Sequence, residues 1–205
     1  MKLWLYREKS MEIIESYLSK SEQILILNKY NVHDIALHQL KVTHYALKLF
    51  DHINEYYELT KEHRYILYYS ALFHDIGYFI SKKSHHKHTK QLILTEPILY
   101  KIPDDKKILI ALIASGHGKS IDPSIKVYSH KVQLKILQLI ALLRVADVLD
   151  HTHKLKTSLE KIYFENRILK LSISGKSIDK IINKFDKKSH LFQKVFNTSI
   201  KLEYS

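Results

Sequence analysis

Histidine and aspartate are the residues through which this sequence could do chemistry. His74 and Asp75 stand side by side at the end of an apolar stretch, 67–73, just ahead of Gly77. Adjacent helix positions point about 100° apart, so the two side chains cannot share a partner as residues four apart would. Both can flank one ion at a helix end, with Asp75 reaching across to a second. An imidazole nitrogen beside a hard carboxylate oxygen suits divalent Mn, Fe, Co, Ni or Zn. By itself a His-Asp pair reads as a capping carboxylate beside a surface imidazole. The chain has 14 His, and a second such pair, His33-Asp34, falls at a helix start. The case for chemistry therefore rests on the other residues.

His117 sits between Gly116 and Gly118. A histidine on a glycine-flanked loop buries little apolar area, so packing alone explains it less well than it explains His38, on a largely apolar helix face. Lys119, just beyond, is a natural phosphate contact. Arg144 and Asp147 lie three apart on one face of a strongly apolar helix, where charged groups need partners; a metal and a phosphate would satisfy both. The stretch 81–88 carries Lys82, Lys83, His85, His86 and His88. It reads as an exposed basic loop, placed after the His-Asp helix so as to reach a phosphate.

The chain has no Cys, which removes disulfides, thiolate zinc sites and cysteine nucleophiles. Its 205 residues suffice for one buried core, and 45% hydrophobic content with 4 Gly and 3 Pro points to a globular, helix-rich fold. No run is long enough to span a membrane and none reads as a signal peptide, so a cytoplasmic protein is expected. A net charge of +12 gives either a solvated lysine surface or attraction for a polyanion. No Arg-rich tract or recognition-helix pattern supports sequence-specific nucleic-acid binding; a phosphorylated small molecule or polyphosphate fits the charge at least as well.

The elements that must position these residues are mostly helices. Residues 1–30 read as a lead-in helix with Ile13, Ile14, Tyr17 and Leu18 on one face, followed by an apolar stretch. An amphipathic helix over 32–57 carries His38, with Asp34 as its N-cap. Thr60 caps the helix that ends in His74-Asp75. Further helices run to residue 98, over 108–114, and over 130–149, the last expected to be the most buried. After His153 the pattern changes: 161–165 and 168–173 alternate about Asn166-Arg167 as a hairpin, 178–196 is helical, and 199–204 alternates as a strand. The expectation is a mainly α chain: a helical bundle over 1–154 and a small ββαβ appendage over 155–205.

With His38, His74-Asp75, His117 and Asp147 on successive helices, the sequence resembles the HD-domain metal-dependent phosphohydrolases. It is most similar to the HD-like C-terminal domain of the exopolyphosphatase/guanosine pentaphosphatase family, here as a stand-alone module. Residues 73–80, 85–88, 141–150 and 191–196 carry the likeness. That resemblance implies an HD-domain helical bundle with one or two divalent ions (Mn, Fe, Co, Ni, Zn or Mg). One ion would be held by His38, His74, Asp75 and Asp147, the other by His88 and His117 with Asp75 bridging. His85 and His86 compete with His88 for its place. Asp75 and His74 would be the catalytic pair, and Lys119, Arg144, His86, Lys82 and Lys83 would bind substrate. The sequence departs from the family pattern at Gly118 and His151, where basic residues are common, and lacks the family's nucleotide-binding domains.

Two functions follow as expectations. The first is hydrolysis of a phosphate ester or anhydride on a small phosphorylated substrate, a nucleotide by preference. The alternative is a non-catalytic polyphosphate- or nucleotide-binding module. A homodimer through the strand edges of the tail is compatible with either.

Overall fold

The structure, a computed structural model, describes residues 17–176 and 178–204. Of the lead-in helix face expected at Ile13, Ile14, Tyr17 and Leu18, the first two lie outside the described residues, and Tyr17 and Leu18 lie in a bend before the first described helix. The described chain holds α1 (Lys20–Lys29), α2 (Ile35–Ile53), α3 (Lys61–Leu72), α4 (His85–Thr95), α5 (Asp104–Ser115), α6 (His130–Val148), β1 (Thr157–Glu165), β2 (Ile168–Gly175), α7 (Ile178–Phe196) and β3 (Ser199–Tyr204). It is mainly α with a small C-terminal ββαβ unit. Among the described residues no helix is long and apolar enough to cross a membrane.

The helix whose C-terminal part has almost no polar face, α6, sits at the centre. From 138 to 150 only Arg144 escapes full burial, and α6 packs against α2, α3, α5 and α7. A helix without a polar face has to be enclosed on all sides. α2 is as enclosed as α6, burying even His38, Gln39 and Lys41.

Local chemistry decides where the helices begin. Ser19 and Glu22 form a capping box on α1. Thr60 does the same for α3 with His63: its hydroxyl accepts from the His63 amide, and its own amide donates to the His63 ring. Asp34 occupies the cap position of α2 but makes no side-chain cap bond, because its backbone is left-handed at φ 58°. The Asn31 carboxamide accepts from the Ala36 amide at 3.1 Å instead.

Of the boundaries that differ from the sequence expectation, two move site residues. α3 stops at Leu72, so His74 and Asp75 lie in the turn after the helix, followed by a 3-10 turn over Ile76–Phe79. The basic stretch is not a loop to residue 88: α4 starts at His85, and its first turn carries His85, His86 and His88. α4 docks directly on the 3-10 turn. The Gly77 amide donates to the Thr89 hydroxyl at 3.0 Å, and that hydroxyl donates to the His74 carbonyl at 2.8 Å. A Cβ on Gly77 would overlap the His85 carbonyl and the Thr89 backbone nitrogen, so only glycine permits this approach. Gly116 serves similarly at the end of α5, where a Cβ would come within 2.7 Å of the Ile140 side chain on α6.

In the tail, β1 and β2 pair antiparallel about Asn166-Arg167, both at positive φ (49° and 64°), and β3 joins β2 in parallel, giving the order β1-β2-β3. α7 is the crossover between the parallel strands. Ile181, Phe185, Phe192 and Phe196 recur at helical spacing and are buried, and the helix packs on α6. One end of the outer β1 edge is covered: the Tyr45 hydroxyl donates to the Thr157 carbonyl at 2.9 Å and accepts from the Leu159 amide at 3.2 Å, while Lys48 donates to the Leu159 carbonyl at 3.1 Å. The strand edge open to another chain is therefore shorter than the strand.

Candidate metal centre

Asp75 is the centre of the site, and its two oxygens face different partners. Oδ2 lies 3.4 Å from His74 Nε2 and 3.7 Å from His38 Nε2. Oδ1 lies 3.3 Å from both His85 Nε2 and His117 Nε2. Asp147, on α6, brings Oδ1 to 3.5 Å from His38 Nε2 and 4.0 Å from His74 Nε2. Helices α2, α4 and α6 and the turns after α3 and α5 thus converge on one carboxylate. His38, His74, Asp75, His117 and Asp147 are all buried.

Each imidazole is aimed by a bond at its other nitrogen. Nδ1 of His74 lies 2.8 Å from the Ala71 carbonyl, that of His117 2.6 Å from the Ala114 carbonyl, and that of His85 3.1 Å from the Lys82 carbonyl. A carbonyl oxygen only accepts, so these rings carry their proton on Nδ1 and turn Nε2 inward as an electron-pair donor. His38 is held by a carboxylate, with Asp150 Oδ2 at 2.9 Å from its Nδ1; the other Asp150 oxygen accepts from Lys41 at 3.2 Å. An imidazole oriented by an acceptor on its far nitrogen is the usual construction of a metal ligand.

The electrostatics match. Burial pushes His74 down to about 4, so it stays neutral. Burial pushes His38 the same way, but the carboxylates of Asp147 and Asp150 outweigh it and hold that ring up to about 9. Asp75 and Asp147 are held well below the usual carboxylate range in spite of burial, the first by the surrounding imidazoles, His74 foremost, and the second by Lys188 foremost. Nε2 of His38, Nε2 of His74 and Oδ1 of Asp75 are buried without a hydrogen-bond partner. Orphaned buried polar atoms cost roughly 1–3 kcal/mol each; a divalent cation on the His38/His74 side of Asp75 would satisfy the two nitrogens, and one on the His85/His117 side would satisfy Oδ1. The residues fit such an ion: three sets, His38/His74/Asp75, His38/Asp147/His153 and Asp75/His85/His117, each bring their ligand atoms within 4.8 Å of one another. Nitrogen donors with carboxylates and no thiolate suit Mn, Fe, Co, Ni or Zn better than the all-oxygen preference of Mg.

Of the residues expected from sequence, the structure brings together His38, His74, Asp75, His117 and Asp147. It places His85, not His88, beside Asp75 and His117. The reason is the start of α4: the helix places His85 against the turn carrying Asp75, and His88 is left outside the three sets. Arg144 lies beside the centre, its Nε donating to the Gly116 carbonyl at 2.8 Å and one terminal nitrogen buried without a partner. His86 is peripheral, its ring centroid 6.5 Å from that of His117. Lys82, Lys83 and Lys119 are exposed, and Lys82 meets the cluster through its backbone carbonyl, at His85 Nδ1.

Sequence reasoning missed His153, Asp150, Lys41 and Lys188. His153 stacks on His38 with centroids 3.8 Å apart and planes 10° from parallel. Lys188 comes from α7 and donates to Asp147 Oδ2 at 2.8 Å and to the His117 carbonyl at 2.9 Å. Asp150 had a usable signal, an acid three residues after Asp147, just past the end of an apolar helix. Lys188 had none, since α7 is rich in lysine.

Comparison with known families gives a match to the model described as Ppx/GppA phosphatase, domain III, over residues 23–186. No curated protein matches the chain.

Proposed function

The chain belongs to the Ppx/GppA phosphatase domain III family, and from that premise we propose that it is a metal-dependent phosphohydrolase acting on a small phosphorylated substrate, a nucleotide by preference. The observation that carries this reading is Asp75, with one oxygen toward His38 and His74 and the other toward His85 and His117.

In this reading His38, His74, Asp75 and Asp147 hold one divalent ion, and Asp75, His85 and His117 hold a second. When bound, such ions supply positive charge for phosphoryl oxygens and acidify water to a nucleophile. The chain's own residues do the rest. Asp75 fixes the two halves of the centre relative to each other. The carbonyls at Ala71, Ala114 and Lys82, together with Asp150, keep the imidazoles oriented, so little reorganisation accompanies the reaction. Arg144, with an unpartnered terminal nitrogen, supplies a donor for a phosphate oxygen. His74, neutral through burial, remains an electron-pair donor down to about pH 4.

The test is metal analysis of protein prepared without chelator, then a screen of phosphorylated substrates with Mn, Co, Ni, Zn and Mg. Phosphate release that depends on the ion and vanishes in Asp75→Asn is expected. Bound nucleotide or polyphosphate with no product under any ion would overturn the enzyme reading in favour of a binding module.

A further inference from the structure

We propose that α7 is the substrate-recognition wall of this centre: Lys188 contacts the phosphoryl group at the centre, and Lys184, one turn away, contacts the next anionic group of the substrate. The inference rests on the reading above that the ligand is phosphorylated.

Lys188 is anchored in a way that packing does not require. Its ammonium has three protons. One goes to Asp147 Oδ2 and one to the carbonyl of His117, so it bridges a carboxylate from the His38 side and a residue from the His85 side. The side chain is 27% exposed, which leaves the third proton access to a ligand. Because Lys188 takes Oδ2, the other oxygen of Asp147 is left facing His38 and His74. The lysine therefore sits beside the centre without occupying the positions of the converging nitrogens.

Lys184 lies four residues earlier, about 6 Å along the helix and on the same side. It donates to Nε2 of His151 at 2.5 Å, and among the described residues no carboxylate pairs with it. Its partner there is an imidazole, which brings no negative charge to offset that of the ammonium. A cation left without a counter-ion, one turn from an ammonium already seated in the centre, fits a second anionic group connected to the first. Preference follows for a substrate with two adjacent anionic groups over a simple phosphomonoester.

The experiment uses the full chain and two non-reactive probes, inorganic phosphate and methylenediphosphonate, whose P–C–P link resists hydrolysis. Affinities are measured by calorimetry with and without added Mn. Wild-type protein should bind the diphosphonate about tenfold or more tighter than phosphate. Lys184→Ala should erase most of that preference while leaving phosphate affinity within about twofold. Lys188→Ala should weaken both probes about tenfold, the scale of one charge-assisted hydrogen bond, and Lys188→Arg should restore most of it. Unchanged affinities in both alanine variants would overturn the proposal, as would a Lys188→Ala protein that loses Mn or melting temperature while its anion binding stays intact. If wild type shows this anion pattern but never turns over a substrate, the phosphohydrolase reading falls and the role of α7 stands.

Discussion

The Nε2 atoms of His85 and His117 lie 2.9 Å apart, and each ring has its Nδ1 against a backbone carbonyl. With both Nδ1 protons committed, two electron pairs face each other across that gap, with Asp75 Oδ1 3.3 Å from each. Such an arrangement is unfavourable unless a metal cation or a further proton lies among the three atoms, which makes the identity of the ligands testable. His85→Ala should remove about one bound ion per chain from a dinuclear centre, whereas His88→Ala should leave the stoichiometry unchanged. Elemental analysis after gel filtration distinguishes them. A loss in His88→Ala alone would reverse the assignment.

Asp75→Asn keeps the shape of the side chain and removes the charge shared by both halves of the centre. Turnover should fall by about a thousandfold or more, because orientation and charge neutralisation are lost together. Arg144→Ala should leave slow turnover with a weaker dependence on salt, since it removes a substrate contact and spares the ion ligands. Initial rates across an ionic-strength series measure both.

Ion binding should release a proton. His38 is held up to about 9, despite burial, by Asp147 and Asp150, so at pH 7.5 it is protonated before an ion arrives and must lose that proton to ligate. Affinity should therefore rise with pH through neutrality and level off near 9. Calorimetry in buffers of different ionisation enthalpy should show about one proton released per chain at pH 7.5. A pH-independent affinity would contradict the role of His38.

Asp150→Ala strands two buried groups at once. Lys41, 2% exposed, loses its carboxylate, and His38 loses the acceptor that aims it. Breaking one side of a buried ion pair costs about 3–5 kcal/mol, and losing the group that orients a metal ligand costs about 10–100-fold in affinity. Urea unfolding and metal titration of the same variant should show both losses. Asp150→Ala with Lys41→Met should recover stability and leave the metal defect.

Gly77→Ala tests how the fold sets the centre. The added methyl meets the His85 carbonyl and the Thr89 nitrogen, both backbone atoms that cannot swing aside. A loss of about 1–3 kcal/mol is expected from overpacking. Because α4 is the element pushed away, ion binding at Asp75, His85 and His117 should suffer more than binding at His38, His74 and Asp147.

Much of this architecture is local information, and local information is what a sequence carries. The run of apolar residues before Asp147 demands an enclosed helix, Thr60 marks a helix start, and Asn166-Arg167 between alternating strands closes a hairpin. The sequence alone also presents His38, His74-Asp75, His117 and Asp147 as an ordered series of nitrogen and oxygen donors. Which atoms meet is a different matter, because it depends on how elements far apart in the chain pack. Nothing in the stretch from His85 to His88 says which imidazole faces Asp75; the docking of α4 on Gly77 decides it. No periodicity separates Lys188 from the other lysines of α7. Only the crossover from β2 to β3, which lays that helix on α6, brings its ammonium to Asp147.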